Sequence, residues 1–145
     1  MKPNLVELRK MAAHSREHGV YMPHWFLSGP SEHVCGTAGC LVGNYIVYEK
    51  LDHCRDGDDI NRAAILDKLQ LSSNQFDWLF TESYPLRGKE LCNYRDLCCV
   101  GTEEALQRLE RFIAYHEKQE AMAQRLVHTR QIKNQNNVLE LAAAS

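Results

Sequence analysis

The sequence predicts a mainly α-helical fold: a compact single domain of about five helices around a Gly/Cys-rich central helix, with a long projecting C-terminal helix. Three observations predict it. Apolar side chains recur at helical spacing towards both ends of the chain, and an apolar segment rich in glycine and cysteine covers residues 33–47. The 145 residues, 44% of them apolar, suffice for one core. We expect one domain over residues 1–130 and a tail, residues 131–145, that frays.

The first predicted helix lies between two residues that cap helices well, Asn4 at its start and Gly19 at its end. It closes with His14 and His18 at positions i and i+4, a spacing that can bind a metal ion. The glutamate that directly follows the first histidine in the zinc-protease pattern is absent. Histidines at a helix C-terminus interact favourably with the helix dipole while exposed to solvent, and we favour that interpretation.

An aromatic group, Tyr21, Trp25 and Phe26, lies between the first helix and the central helix. These side chains can fold over the apolar face of the central helix as a lid. Alternatively, they can form a platform for a planar ligand near the helix start. We favour the first interpretation and keep the second open.

The central helix is predicted from residues 33–47. Gly36, Cys40, Gly43 and Val47 follow one another at i, i+4, i+7 and i+11, which is one face of a helix. Glycine within a helix costs about 1 kcal/mol relative to alanine. This face therefore predicts the close approach of a second helix or of a ligand.

An acidic turn, residues 52–59, ends the central helix. It lacks the spacing and the terminal glutamate of a calcium-binding loop, and we expect Asp58 or Asp59 to cap the next helix. Ser72 and Gln75 then form a capping box for a further helix. The two helices resemble an αα-hairpin. A DNA-binding helix-turn-helix is disfavoured because the second helix lacks basic residues.

A long connection spans residues 82–101. It contains the main local group of basic residues in this chain, Arg87, Lys89 and Arg95, interleaved with tyrosines. Loops of this length are frequently functional, and this one can present cations and rings to an anionic ligand. A solvated loop packed by its own aromatic side chains explains the same residues, and both interpretations stay open.

Thr102 is the predicted N-cap of the last helix, with acidic residues in its first turn. The apolar stripe of this helix is dense as far as Ile113 and thins beyond His116 to residues such as Met122 and Leu126. We therefore expect the last part of the helix to pair with another subunit, as a homo-oligomer.

Composition and charge exclude several classes of protein. A net charge of −2 and a pI near 6.4 argue against a general nucleic-acid-binding protein. The N-terminal segment is charged and amphipathic, so we expect neither a signal peptide nor a membrane anchor. Six cysteines in such a chain indicate reduced thiols, and we expect a cytoplasmic location.

The central segment suggests two hypotheses for a chemically active site. His33, Cys35 and Cys40 offer three ligands for a structural zinc ion, although the paired cysteine knuckles typical of such sites are absent. Alternatively, Cys35 is a nucleophile, because a helix N-terminus lowers the pKa of a thiol. A cysteine-dependent hydrolase or transferase would then need a histidine base from elsewhere in the chain.

A third hypothesis is anion recognition by the backbone. The free N–H groups of Gly36, Thr37 and Ala38, together with the Thr37 hydroxyl, would form a compact anion site at the helix start. Cys35 and Cys40 would then be small buried residues. Close packing without any ligand explains the same segment.

Residues 35–43, CGTAGCLVG, resemble the CGTxxCxxG motif of a family of small proteins from bacteria and their phages. The resemblance covers most of residues 4–114, including the segments 22–25, 69–80 and 102–113. Asn44 departs from the pattern, because an aromatic residue commonly follows the last glycine. The resemblance implies a similar fold and a bacterial or phage origin, and it implies no particular reaction.

We therefore expect a small intracellular binding or accessory protein, encoded by a phage and counteracting host defence by sequestering a nucleotide signal or binding a host protein. The expected partners are thus a phosphate-bearing small molecule or a host protein, with no cofactor. The predicted ligand-binding residues are Tyr21, Trp25, Gly36, Thr37, Ala38, Arg87, Lys89 and Arg95. The alternatives are a cysteine-dependent hydrolase or transferase using Cys35, and a structural zinc-binding protein using His33, Cys35 and Cys40.

Overall fold

The computed structural model describes residues 2–20, 40–57, 59–80 and 102–144. These residues contain five α-helices and one small antiparallel sheet. The helices are α1 (Leu5–His18), α2 (Leu41–Tyr48), α3 (Arg62–Leu69), α4 (Ser73–Phe80) and α5 (Thr102–Ala144). A 3₁₀ turn (Asp52–Cys54) and the strands β1 (Arg55–Asp56) and β2 (Asp59–Ile60) lie between α2 and α3. The predicted mainly helical fold with a long C-terminal helix is confirmed. Within these described ranges, no helix has the length and apolar character needed to cross a membrane.

The chain divides into two units, Met1–Ile113 and Ala114–Ser145, and the boundary falls within α5. The first unit contains α1 to α4 and the start of α5. The described residues of the second unit are the remaining turns of α5, which is helical without a break to Ala144. The expected domain boundary at residue 130 and the fraying of the tail stay predictions.

Both predicted caps of α1 are confirmed. The Asn4 side chain accepts a hydrogen bond from the Glu7 N–H at 3.3 Å, which satisfies one of the free amides at the helix start. Gly19 follows the last turn with a φ of 79°, a backbone conformation that favours glycine, and its N–H donates to the Ser15 carbonyl. The inner face of the helix buries Leu8 and Met11 completely.

The predicted start of the central helix is wrong. Among the described residues, α2 begins at Leu41, and Cys40 precedes it as the N-cap with extended backbone (φ −71°, ψ −177°). The Cys40 thiol accepts a hydrogen bond from the Gly43 N–H at 3.4 Å. Cys40 is thus not a residue of the helix interior, and the predicted helical face does not run through it. The i, i+4 spacing of the sequence does not reveal that Cys40 has an extended backbone.

The cap of α3 also differs from the prediction. Asn61 is the N-cap, and its side chain accepts a hydrogen bond from the Ala64 N–H at 3.2 Å. Asp59 cannot cap this helix because it lies in β2, where it is paired with Asp56 of β1. Asp58 lies outside the described residues. Asn61 is as good a cap as aspartate, so residue type alone did not distinguish the candidates.

The predicted capping box of α4 is confirmed in both directions. The Ser72 N–H donates to Gln75 Oε1 at 2.9 Å, and the Gln75 N–H donates to Ser72 Oγ at 3.2 Å. Gln70 ends α3 in the left-handed conformation (φ 53°), which turns the chain towards α4. Behind this cap, Phe76 and Phe80 pack edge to face in the core.

The core of the first unit lies around α2. Every residue from Leu41 to Ile46 is buried, and α1 packs against this helix. An isolated helix of this length is unstable in water, so packing holds it in place. Burying each large apolar side chain contributes about 1.5–3 kcal/mol. The start of α5 completes this core with Ala105, Leu106, Leu109 and Ile113.

Candidate functional site

Nearly all of the predicted site residues lie outside the described part of the chain, in residues 21–39 and 81–101. They are Tyr21, Trp25, His33, Cys35, Gly36, Thr37, Ala38, Arg87, Lys89 and Arg95. Their roles in nucleotide binding, catalysis or zinc binding stay predictions. Cys40 is the predicted site residue that the structure describes.

The Cys40 thiol is buried, with 1% of the residue exposed, and it caps α2. Burial raises the pKa of Cys40 to about 12, so the thiol carries its proton at neutral pH. A protonated thiol is not a strong nucleophile. Cys54 is also fully buried, and burial raises its pKa too. Both described cysteines therefore resemble small core residues.

A polar pair joins α1 to α2 inside this core. The Tyr45 hydroxyl donates a hydrogen bond to Glu7 Oε2, and Tyr45 is fully buried. The second oxygen of the carboxylate, Glu7 Oε1, accepts a bond of 2.9 Å from Lys10 Nζ at the edge of the core. Both carboxylate oxygens thus have partners, as a buried carboxylate requires.

Opposing effects set the pKa of Glu7. Burial favours the neutral carboxyl, but the hydrogen bonds from Tyr45 and Lys10 favour the carboxylate, and the pKa of Glu7 is lowered overall. Burial and the adjacent Glu7 raise the pKa of Tyr45. The pair is consequently a carboxylate and a neutral phenol at neutral pH. Since Tyr45 is inaccessible to solvent, the pair stabilises the packing of α1 on α2.

Asn44 makes a second polar connection between these helices. It is fully buried, and its Nδ2 donates a hydrogen bond of 2.6 Å to the Gly19 carbonyl at the end of α1. The amide therefore ties α2 to the chain turn that ends α1.

The two histidines of α1 pack on α2. The His18 ring stacks on Tyr48 with centroids 3.8 Å apart and the planes 9° from parallel, and the His14 ring lies 5.6 Å from the same ring. His14 Nε2 lies 2.9 Å from Glu49 Oε1. About a quarter of each histidine side chain is exposed. They are therefore contacts between helices and not simply the solvated helix-end residues that we expected.

The second unit exposes large apolar side chains along α5. Their exposed fractions run from 45% at Ile132 to 74% at Leu141. The set comprises Met122, Leu126, Val127, Ile132, Val138, Leu139 and Leu141. We call these side chains the α5 apolar set. Because successive residues of a helix are about 100° apart, these side chains lie on several sides of α5 and not on one stripe.

Sequence reasoning missed Glu7, Tyr45, Tyr48 and Glu49 as members of polar clusters. The sequence gives a weak indication that Glu7 is buried, because Glu7 adjoins Leu8 on the apolar side of α1. Asn44 offered a clearer one as a polar residue inside an apolar segment, since a buried amide needs a partner. The partners themselves lie far along the chain, and spacing does not reveal them.

Comparisons with protein families, with characterised proteins and with solved structures found no match to this chain.

Proposed function

We propose that this protein acts by binding, not by catalysis, and that residues 114–144 of α5 assemble it with a second copy of itself. The α5 apolar set carries this proposal. These side chains are at least 45% exposed in the described structure of the second unit, and burying one against a partner contributes about 1.5–3 kcal/mol.

The length of the segment fits a protein–protein interface. Residues 114–144 form a continuous helix, which at 1.5 Å per residue extends for about 46 Å. Helices in water generally draw their stability from packing an apolar face against another element. Two such helices paired along this length offer an extended interface of the kind that stable dimers require.

The charge of the segment is compatible with self-association. Residues 114–144 contain four basic side chains, Lys118, Arg125, Arg130 and Lys133, and three acidic ones, Glu117, Glu120 and Glu140. Two copies therefore carry little net charge of the same sign and repel each other weakly. A twofold pair presents the same segment from both chains, which is the commonest arrangement in homo-oligomers.

Variants of α5 test this assembly by light scattering coupled to size-exclusion chromatography. Leu126→Gln and Leu139→Gln remove exposed apolar side chains, and glutamine has nearly the helix propensity of leucine. We expect the wild type to elute with a mass above one chain and the double variant to shift towards one chain. Val6→Gln is the matched control, since Val6 is a 59% exposed apolar residue of α1. A wild type that is monomeric at every concentration would overturn the proposal.

The biological setting that we propose is the cytoplasm of a bacterial host, with the protein encoded by a phage and directed against host defence. The support is the resemblance of residues 35–43 to a motif of bacterial and phage proteins. The protein would sequester a nucleotide signal or bind a host protein.

A nucleotide panel measured by thermal shift tests the first of these routes. A bound nucleotide raises the melting temperature by mass action. We expect this rise to be lost in Thr37→Val, which removes a predicted phosphate contact, and in Arg95→Ala, which removes a predicted cation. Val6→Gln serves as the control. No shift with any nucleotide would exclude the nucleotide route and leave a host protein as the target.

A further inference from the structure

The geometry points to a binding site for a divalent transition-metal ion at the C-terminal end of α1, with His14, Glu17 and His18 as ligands and Glu49 beside His14 as a further carboxylate. His14 and His18 lie one turn apart on α1, and Glu49 directly follows α2. His14 Nε2 and Glu49 Oε1 face each other at 2.9 Å. Glu17 adds a second carboxylate, with Oε2 at 3.8 Å from His18 Nε2.

The ligand atoms already lie close together. Those of His14, Glu17 and His18 are all within 4.8 Å of one another. Ligand atoms around a tetrahedral zinc ion, with bonds of about 2.0–2.1 Å, are separated by about 3.3 Å. Glu17 is 73% exposed on its side chain, so it can rotate inwards without disturbing any packing.

The chemistry of the donors selects the class of metal. Imidazole nitrogen is a good ligand for Zn²⁺, Co²⁺, Ni²⁺ and Cu²⁺, whereas Ca²⁺ and Mg²⁺ prefer a shell made of oxygen atoms. Two histidines and one or two carboxylates form a ligand set that zinc accepts in tetrahedral geometry. The carboxylates also supply the negative charge that balances the cation.

Tyr48 prepares both rings for this role. Its ring stacks face to face with His18 and lies beside His14, with 24° between the latter planes. Contacts of this kind restrict the rotation of the histidines, so less side-chain entropy is lost when a metal ion is bound. His14 Nε2 and Glu49 Oε1 now form a hydrogen bond of 2.9 Å. A metal ion can take the place of the proton between them.

Zinc titration of the full-length chain by calorimetry tests the site. We expect one ion per chain, with binding at least about tenfold weaker in His14→Gln, Glu17→Gln and His18→Gln. His128→Gln is the matched control, because His128 is an exposed histidine on α5. Absence of binding, or binding that His18→Gln leaves unchanged, would overturn the inference.

A second measurement separates this site from the cysteines and from effects on folding. The Co²⁺ complex should show d–d absorption without the thiolate-to-metal charge-transfer bands that cysteine ligands produce. Zinc should also raise the melting temperature of the wild type and of His128→Gln, but not that of His18→Gln. Each variant is compared with its own melting temperature in the absence of metal. Charge-transfer bands in the cobalt complex would place the metal on cysteines and contradict the proposed site.

Discussion

The Tyr45 hydroxyl donates a hydrogen bond to the Glu7 carboxylate inside the core. The free-energy cost of burying either group therefore depends on the presence of the other. A buried carboxylate that loses a hydrogen-bond partner retains the full cost of its desolvation. The phenol ring of Tyr45 provides packing, while its hydroxyl provides this single polar contact. The two contributions can therefore be separated by removing one oxygen atom.

Tyr45→Phe is predicted to lower the free energy of unfolding by about 1.5–3 kcal/mol at neutral pH, the range for hydrogen bonds to charged groups. The phenylalanine ring fills the same space, so no cavity adds to the loss. Urea denaturation measures the change. Tyr115→Phe is the control, since Tyr115 is 59% exposed on α5. An unchanged midpoint for Tyr45→Phe would show that the hydroxyl contributes nothing.

The same pair predicts a dependence of stability on pH. Because the pKa of Glu7 is lowered on folding from an ordinary value of 4.5, the folded state binds its proton less readily than the unfolded state. The stabilisation is therefore present above pH 4.5 and is lost as the pH falls through the lower folded value. In Tyr45→Phe, denaturation at neutral and acidic pH should show a smaller acid-induced loss. An equal loss in both proteins would contradict the account.

Cysteine labelling tests the burial of the described thiols. Burial keeps the Cys40 thiol protonated, with a pKa of about 12, and raises the pKa of Cys54. Iodoacetamide reacts with thiolates, so both residues should stay unmodified in the folded protein at neutral pH and react after unfolding. Peptide mass spectrometry reads out each site. Rapid modification of Cys35 would favour the cysteine-enzyme alternative, and rapid modification of Cys40 would contradict the structure.

Among single elements, the capping box of α4 makes a local contribution to stability that can be measured. Ser72→Ala removes the hydroxyl that accepts from the Gln75 N–H, and it should cost about 1 kcal/mol of stability. Gln75→Ala removes the reciprocal bond. Because the two bonds serve the same turn, we expect the double variant to lose less than the sum. Strict additivity in denaturation experiments would indicate independent contacts.

The helix starts show which elements the sequence can predict. Asn4 and Ser72 were identified correctly because each caps an amide three residues or fewer away, and that chemistry is local. The starts of α2 and α3 were wrong because Cys40 is extended and Asp59 lies in a strand. Spacing and residue type do not report these backbone conformations, which depend on packing and pairing with other segments.

At the scale of the whole molecule, the contacts that join elements could not be predicted. The Glu7–Tyr45 bond joins residues 38 positions apart, and His14 and Glu49 are 35 positions apart. Each requires that α1 and α2 already be packed. The apolar stripe of α5, in contrast, was predicted to be dense up to Ile113 and sparse beyond it, and burial follows that division. Helical periodicity within one element is enough to predict such a pattern.

The α5 apolar set makes the state of assembly the central question about this protein. Native mass spectrometry of the gently purified full-length chain, recorded over a range of concentrations, measures that state directly. We predict a mass of two or more chains that falls to one chain in the variant carrying Leu126→Gln and Leu139→Gln. A wild type that shows the mass of one chain at every concentration would contradict self-association through residues 114–144 of α5.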